Sequence, residues 1–327
     1  MVGDCSMMKR MQHAVLVASL GIMGVTALVW ASLMAWTDPA LAGMGQPSPR
    51  QIGLQEPATD IAEQIHALYN LVNIIIIAIV VFVLALMIWV VVRFNEKSNP
   101  VPSKTTHHAG LEFAWTVIPI LILVFMALPS FKLLFAQYTY PPADLTIKAT
   151  GNQWNWTHAY PDNLRPDGKP ISFTTTMLNE TEIANETKRR GLQVGAPRQL
   201  AVDNEVVVPV NKNVHVLITA SDVIHNWTIP SFGSKVDAVP GRTTATWFRA
   251  KREGIFYGQC SELCGKDHSS MPIAVRVVSQ AQFDEWIAVR KTGDRAKVRE
   301  LMDKIAIAQA KVAMAPATTQ VVSAPAR

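Results

Sequence analysis

Apolar residues gather in three long runs within the first 135 positions, and beyond residue 145 they alternate with polar ones over short stretches. The first run, 14–36, follows Lys9 and Arg10 and ends before Ala40-Leu41-Ala42. A basic start, an apolar middle and a small-x-small close read as a secretory signal over residues 1–42. The run is longer than such segments need, so an uncleaved membrane anchor stays open. Cys5 precedes the run, which argues against lipoprotein-type acylation. After a polar, Pro-containing lead-in at 43–61, residues 68–92 carry no charge until Arg93. About 20 apolar residues suffice to cross a bilayer. A second span is expected at 113–135, with Pro119 and Pro129 inside it, as membrane helices tolerate. The connector between the spans, 93–112, holds Arg93, Lys97 and Lys104. Positive charge in a short loop marks the cytoplasmic side, so both ends of the hairpin face away from the cytoplasm.

From residue 145 the pattern predicts strands at 145–150, 153–159, 206–209, 214–220, 226–229, 245–249, 254–257 and 273–278. Many short strands separated by Gly, Pro, Asn and Asp predict a β-sandwich or barrel. The polar stretch 161–200, with Lys188-Arg189-Arg190, reads as a long surface insertion, and 281–312 reads as one helix. Residues 315–327 are small and Pro-containing and are expected to be disordered. The expected domains are a signal (1–42), a lead-in with a membrane α-helical hairpin (43–140), an all-β domain (141–280), and a C-terminal helix with its tail (281–327).

Composition narrows the possibilities. Charged residues make up 17% and the mean hydropathy is +0.18, in line with membrane segments. The net charge is +5, but no Lys/Arg run is interleaved with aromatics, so nucleic-acid binding is not expected. Three cysteines occur, and with Cys5 in the leader only Cys260 and Cys264 remain; one pair is no disulfide framework.

The chemistry concentrates in Gly258-Gln259-Cys260-Ser261-Glu262-Leu263-Cys264-Gly265-Lys266-Asp267-His268-Ser269-Ser270-Met271. Two thiols, an imidazole and a thioether make a soft donor set that favours copper. Core packing on one helix face, a Cys260–Cys264 disulfide and zinc are the other readings. Gly258, Gly265, the serine pair and Pro272 punctuate the segment as a loop, which weighs against the helix. A further ligand must come from elsewhere, and His225 is the candidate; His158 and His215 lie inside strand patterns and read as structural.

A helical hairpin followed by His225, then Lys235-Val236-Asp237-Ala238-Val239-Pro240-Gly241-Arg242, then the cysteine loop with His268-x-x-Met271, resembles cytochrome c oxidase subunit II over about residues 66–286. The resemblance implies a cupredoxin fold holding the binuclear copper centre CuA. Cys260 and Cys264 would bridge the metals, with His225, His268, Met271 and the Glu262 carbonyl completing the ligands. It also implies that the Glu262 side chain joins a Mg2+ or Mn2+ site shared with subunit I, and that Lys235, Asp237 and Arg242 face that subunit. Trp154 corresponds to the electron entry point from cytochrome c, and Glu112 to the mouth of a proton pathway. The expected setting is a bacterial inner membrane, with the β-domain periplasmic and subunits I and III as partners. Asn152 stands where His is common in the family and Asn155 where Tyr is common. A quinol oxidase subunit II lacks the thiol pair, and a mononuclear blue-copper carrier has a single cysteine. A membrane-anchored copper chaperone has no need of Trp154, Glu262 and Glu112 together. No Cys-x-x-Cys-His occurs, so a fused cytochrome c domain is not expected.

Residues 143–290 hold 15 Asp/Glu and 16 Lys/Arg, whereas family members often steer a basic donor with an acidic patch. A nearly neutral domain predicts a weakly charged donor, or contact dominated by apolar surface around Trp154. Donor oxidation should therefore change little with ionic strength; a steep fall with salt contradicts this.

Overall fold

The computed structural model describes residues 45–48, 50–192 and 195–314, with the side chains of 313 and 314 excepted. The expected signal at 1–42 and tail at 315–327 lie outside the described residues. Two long helices come first, α1 (Asp60–Arg93) and α2 (Ala109–Tyr138). Both are long and apolar enough to cross a membrane, with mean hydropathies of 3.5 and 2.3 over their most apolar windows and none of those windows buried. α1 starts at Asp60, ahead of the expected span at 68, because Thr59 caps it by accepting from the Ala62 N–H, with Asp60 and Glu63 in the first turn. A 34-residue helix is about 51 Å long, against a hydrocarbon core of about 30 Å. Its first two turns therefore have length to spare, and they dock on the β-domain.

That docking is specific. Ala58, Thr59, Ile61 and Ala62 are buried. Thr59 Oγ1 donates to the Phe232 carbonyl at 2.8 Å, and Lys251 N donates to the Ala58 carbonyl at 2.9 Å. Asp60 pairs with Arg249 and Lys251, and Glu63 with Lys251. Gly233, at φ +67°, is required here, since a Cβ would lie 2.6 Å from Ile65 Cδ1 and 3.2 Å from Ala62 Cα.

The β-domain contains β1 (Leu145–Asn152), β2 (Asn155–Leu164), β3 (Pro170–Thr175), α3 (Glu180–Arg190), β4 (Val206–Pro209), β5 (Asn213–Ala220) and β6 (His225–Ile229). β7 (Ser234–Ala238), β8 (Thr244–Arg249), β9 (Gly254–Cys260), β10 (Pro272–Val278), α4 (Gln280–Thr292) and α5 (Arg295–Met314) follow. Two five-stranded sheets, ordered β3-β2-β1-β5-β8 and β4-β10-β9-β6-β7, form a sandwich. β1–β5 and β4–β10 pair in parallel and the other neighbours antiparallel. Alternate residues of β1 and β5 point inward, and Trp156, Tyr160, Trp227, Phe232, Phe248 and Phe256 fill the core.

Several expectations change. The 161–200 stretch is more than a surface insertion: it carries the end of β2, all of β3 and α3. The strand expected at 153–159 starts at Asn155 because Gln153 and Trp154 form the turn from β1. β7 escapes sequence reading because it is an edge strand whose outward residues, Lys235 and Asp237, are charged. The single helix expected at 281–312 is two, since Gly293 at φ +75° closes α4 in the left-handed conformation.

Every residue of β10 is buried, including Arg276, which forms a bidentate pair with Glu205 and donates to Gln309 of α5 at 2.7 Å. Arg189 and Arg190 of α3 both bind Asp303 of α5. Burial pushes the Glu205 carboxyl up, but Arg276 outweighs it and holds Glu205 below the ordinary glutamate value. A depressed carboxyl contributes stability above its unfolded value, which is lost as pH falls through the folded one. Glu205→Gln should cost about 3–5 kcal/mol at neutral pH by leaving Arg276 unpaired. In denaturant unfolding of the detergent-solubilised chain, the gap to wild type should narrow below pH 4.5.

Candidate metal centre

The donor-bearing residues meet at one end of the second sheet. His225 opens β6 and Cys260 closes β9, where Trp227 pairs with Cys260 in the ladder and Ser261 N donates to the Asn226 carbonyl. The chain then loops through Cys264, makes a 3-10 turn at His268–Ser270, and enters β10 directly after Met271. Cys260 Sγ lies 3.9 Å from Cys264 Sγ, 3.9 Å from His225 Nδ1 and 3.3 Å from the Glu262 carbonyl oxygen. Cys264 Sγ lies 3.6 Å from His268 Nδ1 and 3.5 Å from Met271 Sδ. The donor atoms of His225, Cys260 and Cys264 fall within 4.8 Å of one another. Both thiols are free and buried; their separation is far beyond the roughly 2.05 Å of a disulfide.

His225 is fully buried and its orientation is set from three sides. Its Nε2 lies 2.8 Å from Asp222 Oδ1. That contact makes Nε2 the protonated nitrogen and leaves Nδ1 as a lone-pair donor toward the thiols. Trp156 meets the ring edge-on with centroids 6.0 Å apart, and a Cβ on Gly151 would lie 2.8 Å from His225 Cδ2. Asp222 also accepts from Gln153 N and Val223 N, each at 2.7 Å. Partial burial raises the Asp222 carboxyl, but the hydrogen bonds from His225, Gln153 and Val223 outweigh it and hold it below the usual range. Burial, and then the neighbouring Cys260 thiol, push Cys264 up to about 12. Two thiolates side by side in this pocket require a cation. The donor set supplies soft sulfur, imidazole nitrogen and a carbonyl, and it fits a soft transition metal.

Trp154 is half-buried in the β1–β2 turn. Its Nε1 donates to the Cys264 carbonyl at 3.3 Å, which also accepts from Gln153 Nε2 at 2.8 Å. Gly265, at φ +123°, lets the indole approach; a Cβ there would lie 2.9 Å from Trp154 Cζ2. Trp156 is buried core, yet its Nε1 donates to the Met271 carbonyl at 3.1 Å. The Glu262 side chain is exposed. Lys235 and Asp237 project from β7, where Asp237 accepts from Asn226 Nδ2 at 2.6 Å, and Arg242 is exposed in the following loop. Glu112 is not brought to this site: it lies in the first turn of α2, at the other end of the hairpin, where its Oε1 accepts from His108 N. His158 bonds Thr175 and His215 bonds the Pro141 carbonyl, both outside the donor cluster; burial drives His158 down to about 3. Asp222 and Gln153 were missed by sequence reading. A carboxylate three positions before the candidate histidine was the one available signal.

Residues 47–133 match the transmembrane domain of cytochrome C oxidase subunit II, and residues 145–278 match its periplasmic domain. Cytochrome c oxidase subunit 2 of Cereibacter sphaeroides is 44% identical over 279 residues, covering 83% of this chain and 90% of that protein. The chain belongs to the cytochrome c oxidase subunit II family. The probable cytochrome c oxidase subunit 2 of Rickettsia bellii is 45% identical over 257 residues, covering 77% of this chain and 90% of the relative. The crystal structure of the periplasmic domain of subunit II of cytochrome oxidase from Bradyrhizobium japonicum is similar, with 50% identity. It covers 47% of this chain and 99% of that one, at a TM-score of 0.40. This subunit II is membrane-anchored, with the expected helical hairpin ahead of a cupredoxin-like sandwich, and its relatives are parts of an oxidoreductase complex.

Because Asp222 sets the His225 tautomer, Asp222→Asn should weaken metal binding about 10–100-fold while the sandwich stays folded. Competition with a chelator, alongside circular dichroism, measures both; unchanged affinity removes this role from Asp222.

Proposed function

We propose that this subunit is the electron-entry component of a proton-pumping cytochrome c oxidase, receiving electrons from a c-type cytochrome and delivering them to haem in subunit I, where O2 is reduced to water. The carrying observation is the pair of buried thiols 3.9 Å apart, flanked by two imidazole nitrogens, a thioether and a carbonyl. His225, Cys260, Glu262 through its carbonyl, Cys264, His268 and Met271 would hold a binuclear copper centre. A two-copper centre held by these residues would supply one-electron redox chemistry. The residues around the centre prepare it. Asp222 holds His225 Nε2 and so turns Nδ1 toward the thiols, burial of Cys260, Cys264 and Met271 excludes water, and Gln153, Trp154 and Trp156 hold the loop backbone. Such presetting leaves little to rearrange on electron transfer.

Trp154 serves as the entry point, an assignment supported by its hydrogen bond to the backbone of a ligand cysteine. Glu262, with its exposed carboxylate, contributes to a Mg2+ or Mn2+ site completed by subunit I, since a hard cation takes oxygen ligands. Lys235, Asp237 and Arg242 face that subunit, and subunit III completes the assembly. Arg93, Lys97 and Lys104 favour a cytoplasmic connector, which puts the β-domain in the periplasm of a bacterial inner membrane. Glu112 stands at the cytoplasmic mouth of a proton route.

Metal analysis with EPR should give two coppers per chain and a delocalised two-copper signal; one copper or none overturns the assignment. Glu112→Gln should slow proton-coupled reduction of the haem–copper site while reduction of the subunit II centre by donor is kept. Equal turnover in that variant removes Glu112 from the proton route.

A further inference from the structure

The side chains around Trp154 are neutral or acidic, with one exception. Asn152 Nδ2 donates to Asn155 Oδ1 and Thr157 Oγ1, and Asn152 Oδ1 accepts from Ser221 Oγ at 2.8 Å. Asp222 is committed to His225, Gln153 and Val223. Val223 and Ile224, in the adjoining loop, and Leu263 are exposed apolar side chains. The exception is Lys266. Its Nζ stands 5.7 Å from the centroid of the Trp154 ring, within cation–π range. Its side chain is 78% exposed and it pairs only loosely with Asp267, at 3.9 Å. Gly265 brings this cation to the indole: the backbone at φ +123° lets the ring pack directly against the loop that carries Lys266.

We propose that Lys266 is a specificity-determining residue that selects donors by the charge of the surface they press against Trp154. The inference rests on the reading of Trp154 as the entry point. A donor must bring its redox edge to the indole, and Lys266 then lies at the position of closest approach. Exposed charges more than about 8 Å apart are largely screened at physiological salt, so the contact charge outweighs charge elsewhere on the near-neutral domain. A lysine-rich donor face meets a like charge there, whereas a face carrying carboxylates finds an ionic partner. Glu262 and Asp267 share the same loop as acids and moderate the effect, but the cation over the ring is Lys266.

The test uses the assembled oxidase and two donors with one haem environment: mitochondrial-type cytochrome c, whose surface is lysine-rich, and the same protein with its lysines succinylated. The ratio of their second-order rate constants cancels any change in the potential of the copper centre. Lys266→Glu should shift that ratio toward the basic donor by roughly tenfold at low ionic strength, the lower end of what electrostatic steering supplies. Lys266→Met should fall between, and the differences should collapse in high salt. Copper content and EPR spectrum verify that the loop is intact. Trp154→Phe, run beside them, should slow both donors. If it does and the ratio is unmoved in both Lys266 variants, the Lys266 inference falls alone. If Trp154→Phe keeps the wild-type rate with both donors, the entry-point reading falls and takes the inference with it.

Discussion

Two thiols held together without bonding to each other are the constraint on which the rest of this subunit depends. Cys260 and Cys264 are four residues apart in a buried loop, and each sulfur lies 3.9 Å from the other. A loose loop would let them close to a disulfide or drift out to solvent. The surrounding structure prevents both by gripping the backbone. The Cys264 carbonyl accepts from Gln153 and Trp154, the Met271 carbonyl accepts from Trp156, and Ser261 is tied to Asn226. The first sheet thus braces a loop that belongs to the second. The same contacts that hold the donor loop bring an indole from the surface to its backbone.

The site also depends on its attachment to the membrane hairpin. α1 enters the β-domain through a buried cap, Thr59, and through Asp60 and Glu63 paired with Arg249 and Lys251. Exposed ion pairs of this kind contribute little singly. Here they surround backbone hydrogen bonds and a glycine-tight contact at Gly233, and the combination fixes the start of α1 against the sandwich.

Much of this was legible beforehand for a specific reason. A membrane span is a local property, so the apolar lengths around 68–92 and 113–135 identify both helices. The donors Cys260, Cys264, His268 and Met271 lie within one short loop, and their types speak without a structure. Gln153 was not legible, because its hydrogen bonds to Asp222 and to the Cys264 carbonyl span 69 and 111 positions of sequence, and Asp222, only three positions before His225, gave no sign of which way its carboxylate faces. β7 was hidden by its charged outward residues, and the division between α4 and α5 turned on one glycine, Gly293, whose left-handed conformation the surrounding helical pattern outweighed.

The amino-acid sequence by itself determined the membrane anchoring, the alternating texture of a sandwich and the soft donor set, since each follows from residue type and local period. Tertiary structure alone decided the separation of the two sulfurs, the orientation of His225, the contact of Trp154 with the Cys264 carbonyl and the position of Lys266 over that indole. These depend on which distant segments pack together. Packing is set by the collective burial of the core, which no short stretch of sequence encodes.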